Sequence, residues 1–429
     1  MLWLERSTFI FLCALILILP FSKAGVAVFS IASIILFLVS RTWAAVLRRP
    51  VLSDILAPLP VTIPVGIYVL VGLLSIFLSC DTGLSLKGFI GKLLETALLF
   101  FVVKGTLVTR RRIFRFLACF LASAAVLCLD GLWQFFSGRD IFRHKDMVEG
   151  RIGASMNHPN DLGAYLIIVL PLMLLAAFWI WRLWRERKGL QPGMAFSASL
   201  ACSAVAFVVL AMTYSRSAWA GLLVGVGLWA VIRRSWKILA FFVFVVIFVL
   251  TPMAVSKRAL PQSDIPLLRQ EAAQEGICGR FLDVLSRGLN SSDRVHYWEA
   301  AVRIIKDHPL TGTGLNTYAR VVREYAPRHP FYAHNSYLQV AAELGLTGLG
   351  VVVWMLLAPL VFALRSLKRM SEPLWVGILS AVAAGYFALL AESALDTTFY
   401  SVQLSMLIWA LMALLVAIPM ASDRERSSN

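Results

Sequence analysis

Long apolar stretches recur along this chain, each about the length of one membrane crossing. A hydrocarbon core of about 30 Å takes roughly 20 apolar residues in a helix that rises about 1.5 Å per residue. Runs of this kind lie near residues 7–22, 25–40, 62–80, 88–103, 114–136, 161–181, 194–213, 217–232, 237–254, 335–364, 374–392 and 398–420. With 59% hydrophobic and 15% charged residues, the 429-residue chain is too apolar for a water-soluble fold. The expectation is an all-α polytopic membrane protein with about twelve transmembrane helices.

Lysine and arginine in the short loops set the orientation, because basic residues concentrate on the cytoplasmic side. An N-terminus inside puts Arg41, Arg48 and Arg49, then Lys104, Arg110, Arg111, Arg112 and Arg115, in the cytoplasm. Arg182, Arg185, Arg187 and Lys188 come next, then Arg233, Arg234 and Lys237, and finally Arg365, Lys368 and Arg369. Both termini are then expected inside, with the first span an ordinary helix rather than a cleaved leader. In a Gram-negative host the opposite side is the periplasm, and the protein would be a multi-pass component of the inner membrane.

The domain reading rests on these spans. Residues 1–254 hold nine helices, residues 255–333 form one large, partly helical periplasmic loop, and residues 334–429 hold three helices and a short cytoplasmic tail. The loop carries eleven Lys and Arg against eight Asp and Glu. A second basic outer segment, 137–160, contains Arg139, Arg143, His144, Lys145, Arg151 and His158. Basic side chains on the disfavoured side suit either lipid headgroups or an anionic partner. Of the six cysteines, Cys13, Cys119, Cys128 and Cys202 lie in spans, and only Cys80 and Cys278 could meet outside.

Polar residues with chemistry cluster at the outer ends of helices. Tyr332-Ala-His-Asn-Ser-Tyr-Leu-Gln339 leaves a polar segment and runs into an apolar helix expected to continue through 364, roughly 45 Å long. Asn335 or Ser336 can cap it, leaving His334 where free amides and the helix dipole favour an anion. Tyr337 and Glu343 lie further along this helix; Glu343 suits either support of a site or bonding between helices. In Thr213-Tyr-Ser-Arg-Ser-Ala-Trp219, Ser215 or Ser217 can cap the next span, with Arg216 in its first turn. That placement sets a cation against the positive helix end, so either headgroup snorkelling or an anion explains it. Arg294 repeats the pattern in Ser291-Ser-Asp-Arg-Val-His-Tyr-Trp298, whose expected apolar face is Val295, Trp298, Ala301 or Val302, and Ile305. Gly150-Arg-Ile-Gly-Ala-Ser-Met-Asn-His-Pro-Asn160 is turn-rich, with Asn160 or Asp161 a cap for the next span. Arg151, His158 and Asn160 either line an outer site or form a rigid approach loop. Gly312-Thr-Gly314 lacks the βαβ setting of a nucleotide fingerprint and reads as a tight turn. Arginines at helix N-termini suit a diphosphate, whose oxygens guanidinium binds two at a time.

These residues resemble the O-antigen ligase and polymerase superfamily. The likeness rests on Asn157-His-Pro-Asn160, Tyr214-Ser-Arg-Ser217, Ser291 to Trp298, His308-Pro-Leu-Thr-Gly-Thr-Gly314 and His334-Asn-Ser-Tyr-Leu-Gln339, over roughly residues 150–350. It implies a GT-C-like membrane glycosyltransferase, with the O-antigen ligase as first reading. The donor would be an O-antigen glycan on undecaprenyl diphosphate and the acceptor lipid A–core, at the periplasmic face. It carries catalysis onto His334 and donor binding onto Arg216 and Arg294, with Arg151 and Asn335 beside them; His158, Asn160, Glu343 and Tyr337 are supporting candidates. No cofactor, metal or nucleic acid is expected, since the outer segments lack the Asp-x-Asp site of many nucleotide-sugar transferases. O-antigen polymerase and protein O-oligosaccharyltransferase are the alternatives within the superfamily. From another class, a secondary transporter also has many spans, but the 79-residue loop at 255–333 has no counterpart in the first half, as paired repeats would require.

Overall fold

A computed structural model describes residues 2–47, 56–148, 150–187, 190–240, 242–243, 292–326 and 331–428. Most of the span expected at 237–254, most of the 255–333 loop, and Arg269, Cys278, Arg287, Arg328 and His329 lie outside these described residues. The described chain is helical, with two isolated bridges, Arg139 to Asp146 and Val148 to Arg151. In order come α1 (Leu2–Ile18), α2 (Lys23–Val46), α3 (Leu59–Phe77), α4 (Thr82–Gly88), a π turn (Phe89–Leu94) and α5 (Glu95–Thr106). Next are α6 (Arg110–Ser137), α7 (Pro159–Arg187), α8 (Leu190–Met212), α9 (Arg216–Arg233), α10 (Ser292–Asp307) and α11 (Tyr318–Tyr325). The last are α12 (Ser336–Leu367), α13 (Pro373–Glu392), a 3₁₀ turn (Thr398–Tyr400) and α14 (Val402–Ser428).

Eight helices among the described residues are long and apolar enough to cross a membrane: α2, α3, α6, α7, α8, α12, α13 and α14. The expected spans at 7–22 and 217–232 correspond to α1 and α9, and that at 88–103 to the π turn and α5. The chain divides into two compact units. One holds residues 1–123, 292–386 and 393–429, and the other residues 124–291 and 387–392.

In the first unit α14 is the centre, buried along most of its length and packed on α5, α12 and α2. Helix α2, by contrast, leaves Ile31, Ile35, Leu38 and Trp43 exposed, as a lipid-facing surface does. Helices α10 and α11 pack beside the start of α12 through Ala300, Ala301, Ile304, Tyr318, Val322, Ala333 and Ala342. The apolar face of α10 is therefore rotated from the expected one: Ala300, Ala301 and Ile304 are buried, whereas Val295 is half exposed.

The expected unbroken helix from 335 to 364 is also corrected. Helix α12 is broken at Gly345, where φ is 70° and ψ is 179°. The break frees backbone groups that the 309–314 turn then satisfies. Thr313 N–H donates to Ala342 C=O at 3.0 Å, Gly314 N–H to Glu343 C=O at 2.8 Å, and Leu346 N–H to Pro309 C=O at 2.8 Å. Inside a bilayer, freed peptide groups need such protein partners, because lipid supplies none. A Cβ on Gly345 would collide with the Leu310 carbonyl, and one on Gly312 with the Glu343 backbone.

Substituting Gly345 tests this junction. Gly345→Ala meets both a left-handed backbone and that carbonyl, so it should cost about 1–3 kcal/mol from the backbone alone. In detergent its thermal unfolding midpoint should fall clearly below that of Gly350→Ala, whose added methyl meets open space. Equal midpoints for the two variants would mean the junction carries no stability.

Candidate functional site

In the first unit, the start of α12 is built so that a histidine stands just outside a capped helix. Asn335 is the N-cap: its side-chain oxygen accepts from the Tyr337 and Leu338 amides, each at 3.0 Å. Its predecessor His334 sits at φ 48°, a left-handed conformation that L residues seldom adopt. That conformation turns the imidazole away from the helix axis, towards the segment joining α13 to α14.

There the ring meets Asp396, a residue that no motif along the sequence singles out. His334 Nδ1 lies 3.1 Å from Asp396 Oδ1. An ionised carboxylate only accepts, so in the neutral imidazole Nδ1 carries the proton and Nε2 is left as an acceptor. The carboxylate is held in turn. Thr397 N–H donates to the same oxygen at 2.8 Å, and Arg294 Nη2 lies 3.6 Å from Oδ2. Arg294 Nη1 also donates to the Leu395 carbonyl at 2.7 Å. Burial opposes ionisation of Asp396, but the bond and charge of His334, the Thr397 amide and Arg294 outweigh it and hold its pKa at about 2.

The imidazole is also fixed from above and behind. Tyr297 stacks on it with ring centroids 5.5 Å apart, and Trp298 Nε1–H donates to the His334 carbonyl at 3.3 Å. The Asp396 loop is tied to the same helix start: Ser336 N–H donates to Ser393 C=O at 2.8 Å, and Ser336 Oγ to Asp396 C=O at 2.9 Å. The imidazole keeps partial access, with 37% of the side chain exposed against 12% for Asp396. The arrangement is a carboxylate–imidazole pair whose ring is partly open to the surface.

Two other expected residues lie in this unit. Glu343 is fully buried and accepts from Asn316 N–H at 2.7 Å, Tyr400 Oη at 3.0 Å and Tyr318 N–H at 3.3 Å. It fastens the 314–318 loop onto α12 rather than touching His334. Tyr337 packs its ring edge against Phe399. His296, on another face of α10, is exposed.

The remaining candidates gather in the second unit. Arg151 Nε donates to the Thr213 carbonyl at 2.8 Å, and its Nη2 donates to Asn160 Oδ1 at 2.5 Å. This ties the start of α7 to the turn ahead of α9. Ser215 caps α9 by accepting from Ala218 N–H, which puts the exposed Arg216 at its first position. Gly163 lets α7 approach this turn, since a Cβ there would stand 3.0 Å from Ser215 Cβ. The expected cap of α7 is corrected: the helix begins at Pro159, ahead of Asn160, and His158 Nδ1 accepts from Asn160 N–H at 3.2 Å. Proline suits a first helical position because no partner is needed for its missing N–H.

Residues 200–353 match a family described as O-antigen ligase. Over that segment the chain is similar to the O-antigen ligase family. The match supports a member of the O-antigen ligase/polymerase superfamily, whose members are membrane glycosyltransferase-like enzymes that use lipid-linked glycans. Arg216, Arg294, His334 and Glu343 fall inside the matched segment, whereas Asp396 lies beyond it. No curated protein matches the chain. Among the described residues, no group of three or more His, Cys, Asp or Glu side chains is arranged to hold a metal ion.

A pH titration tests the Asp396 environment. Its folded pKa of about 2 lies below the ordinary 3.8. Its contribution to stability is therefore complete above about pH 4 and lost as pH falls through 2. The stability difference between the wild type and Asp396→Asn should change little between pH 5 and 4. It should then shrink by about 2 kcal/mol on acidification towards pH 2. A difference that stays unchanged between pH 4 and 2 would contradict a carboxylate held this way.

Proposed function

We propose that this protein transfers an O-antigen glycan from undecaprenyl diphosphate to lipid A–core at the periplasmic face of the inner membrane. The observation that carries the reading is the His334–Asp396 pair, with Nε2 left to accept a proton at a partly exposed helix start. An acceptor sugar hydroxyl gives its proton to Nε2 as its oxygen bonds to the anomeric carbon. The bond from that carbon to the diphosphate breaks, and undecaprenyl diphosphate leaves with the electron pair. One displacement inverts the anomeric centre. Asp396 stabilises the imidazolium that forms and keeps the ring in the reactive tautomer, so it is a positioning residue.

Arg216 and Arg294 are proposed to neutralise charge growing on the diphosphate. Arg294 has five N–H donors, so bonds to Leu395 and Asp396 leave capacity for phosphate oxygens. Arg151 and Asn160 hold the turn that presents Arg216, with His158 ordering the same helix start. The superfamily relatives would run the same chemistry with another acceptor.

His334→Ala should lower transfer on the order of 100- to 10,000-fold, the usual worth of a general base, with the protein still inserted because Asn335 keeps the cap. A variant that turns over normally with purified lipid-linked donor would remove His334 from the mechanism. In cells, loss of the protein should leave lipid A–core bare while lipid-linked polymer accumulates. Single repeats on the core would assign the polymerase reaction instead.

Arginine-to-lysine exchange separates clamping from anchoring. Lysine keeps the charge and snorkels equally well, but lacks the two-pronged fork. Arg216→Lys and Arg294→Lys should each slow turnover by roughly 100- to 1,000-fold with little change in donor affinity. Undiminished rates in both would leave the two arginines as interfacial anchors.

A further inference from the structure

At the end of the first unit remote from His334 lies a basic cavity that the transfer reaction does not use. Along α14, the 23 residues from Val402 to Arg424 cover about 33 Å. Around Arg424, the ends of α1, α2, α5, α6 and α14 enclose a cavity of about 180 Å³. Its charged lining is Arg41, Lys104, Arg112 and Arg424, faced by a single carboxylate, Glu5. Leu107, Val108, Ala417 and Met420 form its apolar wall.

The positive-inside bias alone would leave such cations in solvent. Here they are drawn inwards. Lys104 is only 4% exposed and donates to the Ala57 carbonyl at 2.8 Å. Arg41 Nη2 donates to Gly105 C=O at 2.9 Å, while its Nε–H is buried without a hydrogen-bond partner among the described residues. Arg112 spends one N–H on Thr106 C=O at 3.1 Å and lies 3.8 Å from Glu5. Cations outnumber carboxylates among the described lining residues, and the buried Arg41 N–H left unbonded is costly.

The geometry points to a binding site for the headgroup phosphate of an anionic phospholipid. Phosphate oxygens suit guanidinium groups in pairs and an ammonium as a point charge. Basic pockets between helices at this membrane face are a recognised setting for acidic headgroups. A lipid is favoured over free phosphate because the exposed apolar face of α2, with Leu38 and Trp43 beside Arg41 in the chain, offers a path for acyl chains. The site is independent of glycosyl transfer, so lipid binding and catalysis can fail separately.

Native mass spectrometry of the full chain, purified in mild detergent with phosphatidylglycerol or phosphatidylcholine, reads the site directly. The wild type should retain phosphatidylglycerol selectively. Arg41→Gln combined with Arg112→Gln should reduce that selectivity about 25-fold, at roughly fivefold per cation removed. Met420→Trp, which fills the cavity with every charge in place, should reduce it too, and it answers the question if the double variant does not fold. Inorganic phosphate should not displace the retained lipid. Equal retention of the two lipids by the wild type, or unchanged selectivity in a folded variant, would overturn the site. Full displacement by inorganic phosphate would make it an ion site and overturn the lipid assignment.

Discussion

The junction between the broken helix α12 and the 309–314 turn is the constraint on which the first unit depends. A helix interrupted along its length frees peptide groups that need partners within the protein. In this chain the Thr313 and Gly314 amides and the Pro309 carbonyl meet that need. Glycine is required on both sides of the contact, since Gly345 and Gly312 each face backbone at a distance no Cβ can occupy. The junction also orients the chain beyond the turn. Asn316 and Tyr318 donate their amides to Glu343, which holds the segment leading to α11 against α12.

From that fixed base the histidine gains its geometry. Helices α10 and α11 pack on the beginning of α12, which brings Tyr297, Trp298 and Arg294 around His334. The left-handed backbone at His334 is an unfavourable local choice, sustained by the Asn335 cap, the Trp298 bond to its carbonyl and the Asp396 carboxylate. Each of these partners comes from a different part of the chain. A histidine so restrained loses little entropy when an acceptor hydroxyl arrives, which is the benefit of a preorganised base.

Charge is distributed in contrasting ways at the two ends of the unit. Near His334, an arginine and an imidazole share one carboxylate that stays ionised at any physiological pH. Around Arg424, four cations and one carboxylate line the cavity among the described residues, a setting that suits an anion from outside the chain. The first arrangement is nearly self-neutralising and suits proton transfer. The second is not, and suits binding.

Much of this was legible along the sequence. Apolar run length determined the membrane-spanning helical class, because a bilayer leaves a chain few other ways to satisfy its backbone. Local chemistry narrowed the caps to Asn335 or Ser336 and to Ser215 or Ser217, and placed the Gly312–Gly314 turn and Arg216, Arg294 and His334 at helix starts, since capping is decided within a few residues. Tertiary structure alone decided the partners. Asp396 lies 62 residues from His334 and is an unremarkable acid at the edge of an apolar span. The rotation of α10, which exposes Val295 and buries Ile304, was set by what it packs against rather than by its own periodicity. The break at Gly345 likewise reads as ordinary helix until the 309–314 turn is seen lying across it. Spacing encodes what a segment can do by itself, whereas contacts between distant segments depend on how the helices assemble.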